Sequence, residues 1–244
     1  MSEILDGKKI AAEIRQKVKE EVSLLARKPS LAVILVGNDP ASEMYVNMKD
    51  KKCKEVGIKS LQYKLYDDAK ESEILNLVDQ LNNDPDVNGI LIQMPLPSHI
   101  DSDKVMNFIN PLKDVDGFNA VNIGRNIQSG KGFIPCTPKG VIKLLDAYGI
   151  DLEGKDAVVI GNSVVVGNPV AQLLLSKGAT VTTCHIKTKD LKKHTLNADI
   201  IVSAVGKKNL VTADMVKDNV VIVDVGIVSD SSGIYGDVDF EEVN

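Results

Sequence analysis

Groups able to move protons recur at helical spacing early in the chain. Between residues 41 and 56, Ser42, Tyr45, Lys49 and Lys52 lie three or four apart, which lines a hydroxyl, a phenol and two ammonium groups along one helix face. A lysine beside a tyrosine in a partly dry site can act in proton transfer. A solvated basic face is the competing reading, because Lys51 and Lys54 crowd the same segment. Gln93 closes an apolar run, VNGILIQ, and opens the irregular loop Met94-Pro95-Leu96-Pro97. An amide there either finishes the strand end or meets a ligand. Asp114-Val115-Asp116-Gly117 places two carboxylates in a turn that lacks EF-hand spacing.

A different chemistry is written at Val158-Val159-Ile160-Gly161-Asn162-Ser163-Val164-Val165-Val166-Gly167-Asn168-Pro169. Strand, glycine turn and helix in that order aim backbone N–H groups at a pyrophosphate. The spacing departs from G-x-G-x-x-G, since Ser163 stands at the middle glycine and Gly167 falls one residue late. An ordinary strand–helix turn remains the other reading. The next strand ends Thr183-Cys184-His185-Ile186-Lys187, with no acid before Asp190 to bond a ribose diol. Lys187 and Lys189 could face a 2′-phosphate, so the residues lean to NADP. Two more apolar runs end in glycine, at Ala204-Val205-Gly206 and Val225-Gly226-Ile227. In an open parallel sheet such carboxyl ends line the ligand crevice.

These residues need elements to hold them. Apolar positions 10, 14, 18, 22 and 25 predict a helix over 8–27. The run LAVILV reads as a buried parallel strand over 31–36, and Asp39-Pro40 as the N-cap and first residue of a helix over 41–56. A strand over 59–65, a helix over 72–82, a strand over 87–93 and a short helix over 103–109 complete a first lobe. Glycines and prolines between Asn122 and Pro138, with few apolar residues, read as a connection. A helix over 139–148, strands over 157–160, 180–184, 200–204 and 220–225, and a helix over 169–177 follow. Alternating strands and helices mean parallel sheets covered by helices. The expected architecture is α/β: two lobes with parallel sheets, the second a Rossmann-type dinucleotide-binding domain, with a cleft between them. The boundaries fall at 1–121, 122–138 and 139–244.

Composition narrows the rest. The 244 residues carry 29 Lys and Arg against 34 Asp and Glu, a net charge of −5, with five Tyr, four Phe and no Trp. That is no footprint for nucleic acid. No apolar run approaches the roughly 18–20 residues of a membrane span, and the N-terminus has no signal-peptide pattern. Three scattered cysteines and three histidines without ligand spacing fit a reducing cytoplasm and no metal.

The series Asp39-Pro40-Ala41-Ser42-x-x-Tyr45-Val46-x-x-Lys49, Gln93-Met94-Pro95-Leu96-Pro97, Lys113-Asp114-Val115-Asp116-Gly117-Phe118, Pro135-Cys136-Thr137-Pro138-x-Gly140 and Gly161-x-Ser163-x-x-Val166-Gly167-x-Pro169 resembles the bifunctional methylenetetrahydrofolate dehydrogenase/cyclohydrolases. The resemblance runs from Leu5 to about Glu242. It implies that Lys49 handles the proton with Gln93 bonded to it, that Tyr45 packs on the folate and that Asp116 anchors the pterin, with Ile92 and Met94 also at the substrate. It implies cofactor contacts from Gly161, Asn162, Ser163, Gly167, His185, Ile186, Gly206 and Ile227. The implied chemistry oxidises 5,10-methylenetetrahydrofolate to the methenyl cation and hydrolyses that to 10-formyltetrahydrofolate. A homodimer built through the second lobe is also implied.

Two departures from the pattern matter. Asn162 and Ile186 stand where many NADP-using members carry Arg and Ser at the 2′-phosphate, which leaves open NAD, or NADP held by Lys187 and Lys189. The family also continues past Glu242 with a loop over the substrates and a returning helix, so the intact polypeptide is expected to be longer. Two alternatives share the fold: a shikimate-dehydrogenase-like enzyme acting on a small acid, and a non-catalytic dinucleotide- or folate-binding protein.

Overall fold

The computed structural model describes residues 3–230 and 233–244. The chain divides into two units, one Gly7–Ile134 and the other Pro135–Asn244 with residues 3–6 added to it.

The first unit holds α1 (Gly7–Leu24), β1 (Ser30–Val36), α2 (Pro40–Val56), β2 (Lys59–Leu65), α3 (Glu71–Asn83), β3 (Gly89–Ile92), α4 (Ser102–Phe108) and α5 (Ala120–Ser129). Its sheet is parallel in the order β2-β1-β3. Successive strand side chains face opposite ways. Ala32, Ile34 and Val36 accordingly pack with Ile90, Ile92 and the α3 residues Ile74, Val78 and Leu81 on one face. Val33, Leu35 and Leu91 pack with Val46 of α2 on the other. Helix α2 starts where its sequence says it must. The Asp39 carboxylate accepts from the Ser42 N–H at 2.8 Å, Pro40 follows, and Gly57 ends the helix at φ 84°.

The second unit holds α6 (Cys136–Ala147), β4 (Asp156–Ile160), α7 (Gly167–Ser176), β5 (Thr180–Cys184), α8 (Leu191–Thr195), β6 (Ile200–Ser203), β7 (Val221–Asp224), the hairpin β8 (Val228–Asp230) and β9 (Gly233–Tyr235), and α9 (Phe240–Val243). Four parallel strands run β5-β4-β6-β7, the order of a sheet wound outward in both directions from β4. Ala157, Val159, Ile200 and Val202 pack against α6 and α7, while Val158, Ile160 and Ile201 face the opposite layer. Leu5 joins the first of these cores, and the Asp6 N–H donates to the Tyr148 hydroxyl at 2.7 Å.

The stretch read as a connection over 122–138 is instead mostly helix. Its first part is α5 and its last residues begin α6, and the division between units falls at Ile134/Pro135. The α5 helix anchors through polar atoms: Asn122 is 1% exposed, donates to the Pro111 carbonyl and the Asp114 carboxylate, and accepts from the Phe133 N–H. Among the described residues, no helix is long and apolar enough to cross a membrane, and no three His, Cys, Asp or Glu side chains gather to hold a metal.

Candidate functional site

In the first unit the site begins at the carboxyl ends of β1 and β3. The chain leaves β3 at Gln93, whose N–H still donates to the Ile34 carbonyl at 2.8 Å. The Gln93 side chain is 9% exposed and both of its heads are engaged. Its oxygen accepts from Lys49 Nζ at 2.9 Å and its nitrogen donates to the Met94 carbonyl at 2.8 Å. The Met94–Pro95 peptide that follows is cis. Lys49 is half-buried on α2, and Tyr45, one turn earlier, is 39% exposed. The solvated-face reading therefore fails at Lys49, though Lys52 and Lys54 do pair with Glu55 and Asp50 at the surface.

Ile92 and Met94 behave differently from one another. Ile92 is 2% exposed and packed in the core, so only its backbone is available to a substrate, while Met94 is half-buried beside that core.

Asp116 is reached through its neighbour. Asp114 forms a parallel bridge with Ile90 of β3, so the chain is heading toward the strand's carboxyl end as it leaves for Asp116. The Asp114 side chain is 1% exposed and accepts from the N–H groups of Gly117 and Asn119 and from the Asn122 amide, at 3.0, 2.9 and 2.8 Å. A carboxylate saturated in this way holds the turn that displays half-buried Asp116. Both aspartates stand out in the sequence, but nothing in their spacing assigns Asp114 this role. The usable signal was Asn119, which caps α5 by accepting from the Val121 N–H.

In the second unit the turn after β4 is already shaped as a phosphate cradle. Gly161 leaves the strand at φ 116°, a left-handed conformation that glycine adopts without strain. The Ser163 hydroxyl accepts from the Val166 N–H at 3.1 Å, and its carbonyl accepts from the Asn168 N–H at 3.0 Å. A Cβ on Gly167 would sit 2.1 Å from the Gly161 carbonyl oxygen, so the helix can start this close to the strand only with glycine. The first N–H groups of the ten-residue α7 bond within the turn, Gly167 to the Ser163 hydroxyl and Asn168 to the Ser163 carbonyl, so what the helix offers an anion is the positive end of its dipole. These residues fit a dinucleotide.

Around this turn, Asn162, Ser163, His185 and Gly206 are exposed, Ile186 is 97% exposed and Ile227 is 64% exposed. His185 anchors a tight loop, since its N–H donates to the Thr188 hydroxyl and its Nδ1 accepts from the Lys187 N–H. Lys187 and Lys189 flank that loop and are exposed.

Comparison with known proteins matches both units. Residues 5–116 fit the family model of the tetrahydrofolate dehydrogenase/cyclohydrolase catalytic domain, and residues 135–244 fit its NAD(P)-binding domain. The chain is similar to the crystal structure of the bifunctional enzyme FolD, a methylenetetrahydrofolate dehydrogenase/cyclohydrolase from Campylobacter jejuni. Identity is 53% and the TM-score 0.97, over 98% of this chain and 86% of that one. The bifunctional protein FolD of a Nitratiruptor species is 50% identical over 99% of this chain and 87% of its own. A Trypanosoma brucei methylenetetrahydrofolate dehydrogenase-cyclohydrolase, solved with NADP and an inhibitor, is 32% identical with a TM-score of 0.94 over 99% of this chain and 87% of that one. A shikimate dehydrogenase from Aquifex aeolicus, at 14% identity and a TM-score of 0.50, shares the fold alone.

Proposed function

Because the chain belongs to the tetrahydrofolate dehydrogenase/cyclohydrolase family, we infer that it is a bifunctional one-carbon enzyme. It oxidises 5,10-methylenetetrahydrofolate to the methenyl cation with NADP, then hydrolyses that cation to 10-formyltetrahydrofolate. The shikimate-type alternative has only a shared fold behind it. The observation that carries the reading is the Lys49–Gln93 hydrogen bond at the carboxyl ends of β1 and β3.

The proposed roles follow from the chemistry of the substrate carbon. It is an electrophilic, iminium-like centre, so positioning and proton handling suffice. Tyr45 packs on the folate and sets its face, and Asp116 accepts hydrogen bonds from the pterin. The Gly161–Gly167 turn would hold the pyrophosphate of NADP, which would supply the oxidant for the methylene carbon, a ring able to take up a hydride. Water then adds to the methenyl carbon, forming a C–O bond, and the C–N5 bond breaks with its electron pair going to N5; of the two protons the water loses, one ends on N5 and one leaves to solvent. Lys49 shuttles the proton between the attacking water and the departing nitrogen. Gln93 holds the ammonium where that transfer occurs.

Gly161, Ser163 and Gly167 shape the pyrophosphate site, with Asn162, His185 and Ile186 toward the adenosine ribose and Gly206 and Ile227 bordering the rest of the cofactor. Lys187 and Lys189 supply charge for a 2′-phosphate. We assign the protein to the cytoplasm as a homodimer associating through its second unit. The test is to supply 5,10-methylenetetrahydrofolate and NADP and follow reduced nicotinamide and methenyl absorbance together. Both signals are expected, with none from shikimate; absence of both overturns the assignment.

A further inference from the structure

Two carboxylates, one buried beneath the turns that follow β6 and β7 and one exposed at the end of β7, each lie against a glycine. Asp237 is fully buried. One of its oxygens accepts from the Ser203 hydroxyl at 2.7 Å and the Val205 N–H at 2.8 Å, and the other accepts from the Lys207 N–H at 2.7 Å. Those two N–H groups flank Gly206. A Cβ on Gly226 would fall 2.1 Å from the Asp237 carboxylate, so the loop after β7 also lies directly on it. The arrangement is reciprocal. Asp224, the last residue of β7, accepts from the N–H groups of Gly226 and Val238 at 3.0 and 2.9 Å, and a Cβ on Gly236 would lie 2.0 Å from it.

The surface above this clasp holds two residues given to the cofactor. Gly206 stands at φ 77°, and a Cβ there would lie 3.6 Å from the Ile227 carbonyl. The turns carrying Gly206 and Ile227 therefore abut, and Asp237 is bonded to one while packed under the other. Asp237 thus takes three hydrogen bonds from β6 and the turn that follows it. A buried N–H left unpaired costs more than the bond itself.

We propose that Asp237 is a positioning residue for the dinucleotide: its carboxylate fixes the Val205–Lys207 turn, and through Gly226 the Ile227 turn, in the shape that receives NADP. It touches no substrate. The proposal rests on the reading above that Gly206 and Ile227 border the cofactor. In Asp237→Asn one acceptor oxygen becomes an NH2 group facing an N–H donor, with the shape otherwise kept.

The bifunctional enzyme supplies its own control, because hydrolysis of methenyltetrahydrofolate consumes no NADP. D237N is expected to raise the NADP dissociation constant and KM by about tenfold or more, the loss of one charge-assisted hydrogen bond. Its cyclohydrolase rate without NADP and its KM for folate should stay within twofold of the starting protein. A merely structural role would instead lower both activities together, with the folded fraction. Ile227→Asp, on an exposed side chain, is measured beside it and should also weaken NADP. If I227D weakens NADP while folded D237N binds it normally, the positioning role is overturned. If both bind NADP normally, the assignment of this surface to the cofactor falls and the proposal with it. Should D237N fail to fold by circular dichroism, Ser203→Ala removes one bond to the same carboxylate. A rise of about threefold in the NADP constant is then expected, and an unchanged constant overturns the proposal.

Discussion

The Lys49 ammonium donates to the Gln93 amide oxygen over 2.9 Å, and the same amide's nitrogen is held by the Met94 carbonyl over 2.8 Å. With both ends of the amide fixed, the lysine has one preferred position rather than the many that its four-carbon stem allows. Gln93→Ala should release it. Proton transfer by a positioned group contributes roughly 10²–10⁴-fold, so the cyclohydrolase kcat should fall by about 10² while NADP affinity is unchanged. Steady-state kinetics on methenyltetrahydrofolate, with NADP titrated separately, checks both.

Gly167→Ala tests the phosphate turn. The added methyl would meet the Gly161 carbonyl at 2.1 Å, and backbone on both sides must move. Overpacking of this kind costs about 1–3 kcal/mol. A drop in Tm and a rise in the NADP constant are expected together, with hydrolysis in the folded fraction retained. Calorimetric titration with NADP reads the second.

Much of the frame was legible because single residues announce it. Asp39-Pro40 starts α2, LAVILV lies in β1, and β2 and β5 fall at 59–65 and 180–184, the bounds expected from the sequence. Helix α5 was not legible by the same logic. Periodicity looks for buried apolar side chains, yet its buried residue is Asn122 and its interior includes Gly124. Only its caps, Asn119 and Gly130 at φ 66°, mark it. The site divides the same way. Lys49 and Gln93 could be singled out by position, but their bond joins residues 44 apart. Asp114 and Asp237 work by accepting from backbone N–H groups brought near by folding, and no spacing in the chain records that.

Cofactor choice should respond to the two positions that depart from the NADP pattern. Asn162 and Ile186 are exposed, so Asn162→Arg with Ile186→Ser adds donors without disturbing the core. A guanidinium can bind a phosphate through two hydrogen bonds. The ratio of kcat/KM for NADP over NAD is expected to rise by about tenfold. Parallel assays with both nucleotides measure it.

Acid stability should depend on Asp199. Its carboxylate accepts from Lys217 Nζ at 2.7 Å and from the Asp156 N–H at 2.9 Å, and these bonds, the lysine's first, hold its pKa below the usual 3.8. Glu71 is lowered likewise by Lys104 and the Asp101 N–H. A depressed pKa in the folded state means the unfolded chain takes up protons first as pH falls. The stabilisation is therefore present at neutral pH and lost as pH drops below about 4 through the folded-state values. Asp199→Asn should flatten that decline, as seen by urea midpoints between pH 7 and pH 3.

The most direct test of the proposed chemistry is Lys49→Met, which keeps the length of the side chain and removes its proton. Methenyltetrahydrofolate hydrolysis and methylenetetrahydrofolate oxidation are measured on the purified variant, with NADP binding and Tm as controls. Hydrolysis is expected to fall by at least about 10²-fold, with NADP affinity and folding intact. A variant that keeps both activities would contradict the role given to Lys49.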